Sequence, residues 1–199
     1  MKTDVTVIMP ARDVERSVAA MVRTAVKIED LVERPPERQG AGPLVFEHIA
    51  LDERSGDNTL SVLSVLHGQI PNLRTLQDLA PGTSIRRASA VARGDVWLVI
   101  DHAVDPELAG WGLSQVLRGQ RAAVVPGEIL ALDRHVGTEV LRSLSGGLVS
   151  AQNAVVRYLR ARHEQPAWSP PTQRSTVARA RLLVRGSLGR LGLTRFDRP

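Results

Sequence analysis

The chain has no cysteine among its 199 residues. That removes disulfides and thiolate metal sites, and it fits a reducing compartment. Aromatic residues amount to only 3%. Base stacking, the sequence-tolerant way of holding single-stranded nucleic acid, has few side chains to work with, so no nucleic-acid partner is expected. No apolar stretch approaches the roughly 20 residues of a membrane-spanning helix. The first apolar run, VTVIM, is preceded by Asp4 and is too short for the core of a signal peptide. A cytoplasmic location is the expectation. What is present is aliphatic: hydrophobic residues make up 43%, mostly Val, Leu, Ile and Ala, which suits a buried sheet covered by helices. The length corresponds to one domain of ordinary size with room for a tail.

The net charge of +5 is not spread along the chain. Residues 172–199 hold seven Arg and one Asp, leaving 19 Lys and Arg against 20 Asp and Glu in residues 1–171. The basicity belongs to the tail, and the globular part is close to neutral.

Val5–Met9 is a continuous β-prone run ending at Pro10 and reads as a buried first strand. From Asp13 to Leu31, Val14, Val18, Met21, Val22, Ala25 and Ile28 recur at helical spacing, with Asp13 the expected N-cap. A Pro/Gly-rich loop over 33–43 leads to a second strand, Leu44–Leu51, and the polar turn DERSGDNT. A helix over Leu60–Leu66, a short strand over Leu73–Leu76 and a helix over Ser84–Arg93 follow, the last closed by Gly94 as a C-terminal cap. Val96–Ile100 reads as a strand, Glu107–Arg118 as a helix and Ala122–Val125 as a strand. Residues 137–162 read as mostly helical, with a break at Gly146–Gly147. The alternation predicts a mainly parallel, wound sheet, in which ligands sit beyond the carboxyl ends of the strands. Three polar clusters fall there: Pro10-Ala11-Arg12-Asp13, Asp52-Glu53-Arg54-Ser55 and Asp101-His102. Each alone has a structural explanation, because strand ends are polar and Asp and Ser cap helices.

Taken in order, these clusters resemble the motifs of glycosyltransferase family two, inverting enzymes of the GT-A fold. The family's P-A-Y-N-E-E is matched by Pro10-Ala11-Arg12-Asp13-Val14-Glu15. Its V-D-D-G-S-T-D-G-T is matched by Leu51-Asp52-Glu53-Arg54-Ser55-Gly56-Asp57-Asn58-Thr59. Its A-x-G-D and D-x-D are matched by Ala92-Arg93-Gly94-Asp95 and, after VWLVI, Asp101-His102-Ala103. The resemblance covers residues 4–126. It implies an α/β, GT-A (Rossmann-like) domain over residues 1–165, with a Pro-rich linker and basic tail over 166–199. It also implies a nucleoside-diphosphate sugar of the uridine or guanosine type as ligand, and transfer of a hexose to a lipid phosphate or small molecule. In that frame Pro10, Ala11, Asp13, Glu15, Asp52 and Glu53 would hold the nucleoside. Arg86 and Arg87 would approach the diphosphate. Asp101, with His102 and Asp105, would hold Mn²⁺ or Mg²⁺.

The chain departs from the family at two places. The second acid of D-x-D is Ala103, which implies weak metal binding or none, and imidazole is softer than such metals favour. No E-D pair follows Asp30 to supply a general base. Glu128, Asp133, His135 and Glu164 are the candidates, none in a recognisable context, so the catalytic residue stays unassigned. A non-catalytic relative that binds a nucleotide or a partner protein is the alternative. A nucleotidyltransferase ranks third, because PARDVE is not a Gly-rich basic phosphate loop.

The tail places Val177, Ala180, Val184, Leu188 and Leu191 on one side of a helical wheel, beside Arg181 and Arg185. Such a segment suits peripheral contact with the inner face of an anionic membrane, although Gly186, Gly189 and Gly192 weaken the helix. Folding back onto the domain, or association with a second copy of the chain, stays open.

Overall fold

The computed structural model describes residues 2–36 and 42–169. The basic tail, and with it the membrane-contact expectation, lies outside the described residues. Among the described residues seven strands form one sheet in the order β3-β2-β1-β4-β6-β5-β7. The strands are β1 Val5–Ala11, β2 Phe46–Asp52, β3 Leu73–Leu76, β4 Val96–Val99, β5 Ala122–Val125, β6 Ile129–Asp133 and β7 Ala167–Trp168. β1 to β4 run parallel, β6 is antiparallel to both β4 and β5, and β7 is parallel to β5. The helices are α1 Val18–Glu29, α2 Thr59–Gln69, α3 Ser84–Val91, α4 Pro106–Leu117, α5 Arg134–Leu141 and α6 Leu148–Arg160.

The period-two alternation of the strands splits the core in two. Val5, Val7, Met9 and Ala11 of β1, with Leu98 of β4, pack under α1, α2 and α4. Ile8, Ile49, Leu51, Trp97 and Val99 face α3, α5 and α6. The layering follows from the strand order. β1, β2 and β3 step outward in one direction, then the chain returns past β1 to β4, so a right-handed crossover puts α3 on the opposite face. The loops after β1 and β4 lead to α1 and α4, which share one face, and the carboxyl ends of these two neighbouring strands meet at the switch point of the sheet, the crevice where such sheets take their ligands.

Five details differ from the sequence-based expectations. α1 begins at Val18 with Ser17 as N-cap, not at Asp13. Residues 14–17 instead form a turn, Val18 N–H donating to the Val14 carbonyl at 2.8 Å. α3 ends at Val91, and Gly94 is not its cap. A Cβ there would lie 2.5 Å from the Thr6 amide nitrogen, so glycine is demanded by the close approach of β1. β6 is an additional strand, in a segment for which the sequence pattern predicts no element. The break expected at Gly146–Gly147 is present but longer, from Arg142 to Gly147. Finally, Ala167–Trp168 pairs with β5, so the sheet extends two residues into the stretch read as linker.

Candidate functional site

β4 delivers Asp101 and His102 to the carboxyl end of the sheet, beside the start of β6. The hairpin joining β5 to β6 is a four-residue turn, Val125-Pro126-Gly127-Glu128. Glu128 N–H donates to the Val125 carbonyl at 3.0 Å, and Gly127 adopts φ +76°. Proline and glycine at these two central positions are the residues a type II turn requires. The turn sets Glu128, only 4% exposed, against β4. His102 Nδ1 lies 2.7 Å from Asp101 Oδ1 and its Nε2 lies 3.0 Å from Glu128 Oε2. A neutral imidazole offers one N–H and one lone pair, whereas here both nitrogens face carboxylates, so the ring fits this place as imidazolium. Burial opposes that charge. The hydrogen bonds to Asp101 and Glu128 outweigh it and raise the His102 pKa above the usual imidazole value.

The first two polar clusters are stitched to each other. Asp13 sits in the left-handed region, φ +52°, and its Oδ1 accepts from Gly56 N–H at 2.7 Å. Its own N–H donates to Ser55 Oγ at 3.1 Å. Glu15 and Asp57 exchange places: Glu15 N–H donates to Asp57 Oδ2, and Asn58 N–H donates to Glu15 Oε2, both at 3.0 Å. Thr59 also donates to Asp57, which holds that carboxyl below its ordinary range. Asp52 is buried and accepts from Ser55 N–H. In this structure Asp13, Glu15 and Asp52 therefore shape the loops after β1 and β2. Pro10 and Ala11, at the end of β1, pair in register with Leu51 and Asp52 at the end of β2.

Glu53 reaches across to α3. Its two oxygens accept from Gly82 N–H at 2.9 Å and Ser84 N–H at 3.0 Å, which caps a helix whose own N-cap, Thr83, makes no side-chain cap bond. Removing that carboxylate, Glu53→Ala, is expected to lower stability by about 0.5–2 kcal/mol. Urea unfolding checks it, and an unchanged midpoint would remove Glu53 from this capping role. Arg86 and Arg87 project from α3 into a groove of about 440 Å³ shared with Thr83 and Arg142.

Of the four candidate bases, only Glu128 is at this rim. Asp133 pairs in register with Val96, at the opposite end of β4, where it caps α5 and binds Arg121 at 3.0 Å. His135 and Glu164 also gather around Arg121. Gln152 was not foreseen. Buried on α6, it accepts from Gly127 N–H and donates to the Val125 and Ile129 carbonyls, all within 3.0 Å, and so fixes the hairpin that carries Glu128.

The residues expected to hold a divalent metal do not fit one. Both His102 nitrogens and one oxygen each of Asp101 and Glu128 are taken up in their mutual hydrogen bonds. Asp105 caps α4, accepting from Glu107 N–H at 3.0 Å. Among the described residues no group of three His, Asp or Glu is arranged to hold a metal ion.

No family model matches the sequence, and no curated protein matches it significantly. Solved structures do match. A mycobacterial protein overlays 96% of this chain and 75% of its own at a TM-score of 0.61 and 18% identity. A Pyrobaculum calidifontis mannosyltransferase, solved with GDP-Man and Mn²⁺, overlays 86% of this chain at a TM-score of 0.55 and 15% identity. Glucosyl-3-phosphoglycerate synthase from Mycobacterium tuberculosis overlays 67% at 0.51 and 18%. The fold is the GT-A fold. The chain spans 56% and 58% of those two enzymes, and 35% of the Staphylococcus aureus TarS chain solved with UDP. In the GT-A frame the switch point between β1 and β4 is flanked by Arg12 and Asp13 on one side and by Asp101 and His102 on the other.

Proposed function

We propose that the chain binds a nucleoside-diphosphate sugar, of the uridine or guanosine type, in the crevice between the loops after β1, β2 and β4, and transfers its hexose. The observation that carries this is the position of the crevice. It lies at the carboxyl ends of β1 and β4, where the order of the sheet reverses and where such sheets take their ligands. The loops beside it are held by cross-bonds from Asp13, Glu15 and Asp57, so they are shaped before any ligand arrives. Asp101 Oδ2 and Glu128 Oε1 are the two oxygens that do not face His102, and Asp101, the more exposed of the two acids, is the natural acceptor for a ribose or sugar hydroxyl.

A second reading keeps the binding and drops the transfer. It is favoured by the commitment of Glu128, the one candidate base at the rim, to His102. An acceptor that is already a phosphate needs no base, so transfer to a lipid phosphate is compatible with that commitment. Incubation of the full chain with UDP- and GDP-hexoses, with and without a polyprenyl phosphate, separates the two. Acceptor-dependent release of the nucleoside diphosphate is expected. Binding of the donor with no release under either condition would leave the non-catalytic reading standing alone.

A further inference from the structure

We propose that the His102 side chain occupies the place of a divalent cation in this crevice, so that a nucleoside diphosphate binds the chain without metal. The inference rests on the donor-site reading above and deepens it. In a D-x-D-type site, two carboxylates beside the diphosphate would demand a cation between them and the phosphates. Here the two carboxylates are Asp101 and Glu128, brought together from β4 and the β5–β6 turn, and the cation between them is the imidazole ring itself. Hard divalent ions need several free oxygens at once. One oxygen of each acid points at a His102 nitrogen, and the remaining Glu128 Oε1 is buried with no partner. The position where the second acid of the motif would stand is Ala103, exposed and without donor atoms. The charge balance also holds. Two carboxylates with an imidazolium carry one net negative charge fixed by short hydrogen bonds, instead of two negative charges that would repel an incoming diphosphate. Arg12, half-exposed in the loop after β1 and paired with Asp13 at 3.8 Å, adds a cation to the same end of the sheet.

The arrangement makes removal of His102 informative. Without the ring, Asp101 and Glu128 become two unneutralised acids on a common face, and a divalent cation is what would restore balance. Two titrations on the full-length protein test the proposal. In the first, nucleotide-free protein is titrated with Mn²⁺ alone, and free Mn²⁺ is read by electron paramagnetic resonance. The parent is expected to bind no Mn²⁺ tighter than about 1 mM, whereas His102→Ala gains a site at least about tenfold tighter. In the second, UDP and GDP are titrated calorimetrically in chelator and in Mn²⁺. The parent affinity should be the same in both, and that of His102→Ala should rise about tenfold or more with the metal. Ala103→Asp alters an exposed position and keeps the fold even if His102→Ala does not. It is expected to leave Mn²⁺ binding absent, because His102 still holds both acids. Submillimolar Mn²⁺ binding by the parent or by Ala103→Asp would overturn the proposal, as would a parent that needs Mn²⁺ for nucleotide. If the parent bound no nucleotide in either condition, the donor-site reading would fall. The nucleotide-free Mn²⁺ titration would still decide whether His102 excludes the metal.

Discussion

Trp97→Ala is expected to lower the unfolding free energy by about 3–5 kcal/mol, the range for emptying a fully buried aromatic site. Trp97 is among the largest side chains in the core with no exposure at all, and it lies on β4 four residues before Asp101. Its indole N–H donates to the Gly94 carbonyl at 2.8 Å, so the ring has a polar anchor as well as apolar walls. Its other neighbour is Gly137 on α5. A Cβ on Gly137 would lie 2.3 Å from a ring carbon, which means the helix backbone rests directly on the indole. Denaturant unfolding of the parent and variant measures the loss, and a loss under about 1 kcal/mol would mean that the ring is not packed as described. Gly137→Ala approaches the same contact from the other side and should cost about 1–3 kcal/mol through overpacking.

The second large effect is expected at Gln152. Gln152→Leu keeps a side chain of similar volume in the same helix but removes its bonds to Gly127 N–H and to the Val125 and Ile129 carbonyls, leaving Val125 only the bond from Glu128 N–H. An unsatisfied buried backbone group costs about 1–3 kcal/mol, and because the three lost bonds share one side chain a total of about 3 kcal/mol is expected. The loss has a local signature that a general packing defect lacks. The β5–β6 turn should open and carry Glu128 away from His102, so the His102 imidazole resonances should titrate at lower pH than in the parent. Nuclear magnetic resonance of the histidine ring protons reads this directly. A destabilised variant with unchanged His102 titration would mean that the turn is held by other contacts.

Much of the architecture was legible because it rests on local signals. Val5–Met9, Val96–Ile100 and Ala122–Val125 are β-prone, mostly apolar runs between turn residues, and each, like the short LRTL segment Leu73–Leu76, is a strand within a residue or two of the expected bounds. The mainly parallel, wound sheet followed from the alternation of such runs with helical spacing, and the GT-A fold from the resemblance of the three polar motifs. β6 escaped because ILAL is too short for its period to separate strand from helix. The Pro126-Gly127 pair just before it was the usable hairpin signal, hidden by the expectation of a mainly parallel sheet. Asp13 looked like an N-cap because it precedes a helical pattern. Its positive φ and its bond to Gly56 come from a loop 43 residues away, which no local pattern encodes. The same holds for Glu53, whose partners on the α3 approach lie 29 and 31 residues on. Asp101 and His102 stood out as a degenerate motif. The third member, Glu128, was visible only as an acid without context, because its context is the antiparallel pairing of β6 with β4.

The location of the ligand is the central claim, and amide chemical-shift mapping tests it most directly. Isotope-labelled full-length protein is titrated with UDP and GDP in the presence of chelator, and the backbone amides that respond are assigned. The account predicts shifts clustered on residues 12–15, 53–58 and 101–103, from three loops far apart in sequence and adjacent at the crevice. Shifts confined to the groove between α5 and α6 near Arg157 and Arg160, or no shifts at millimolar nucleotide, would contradict it.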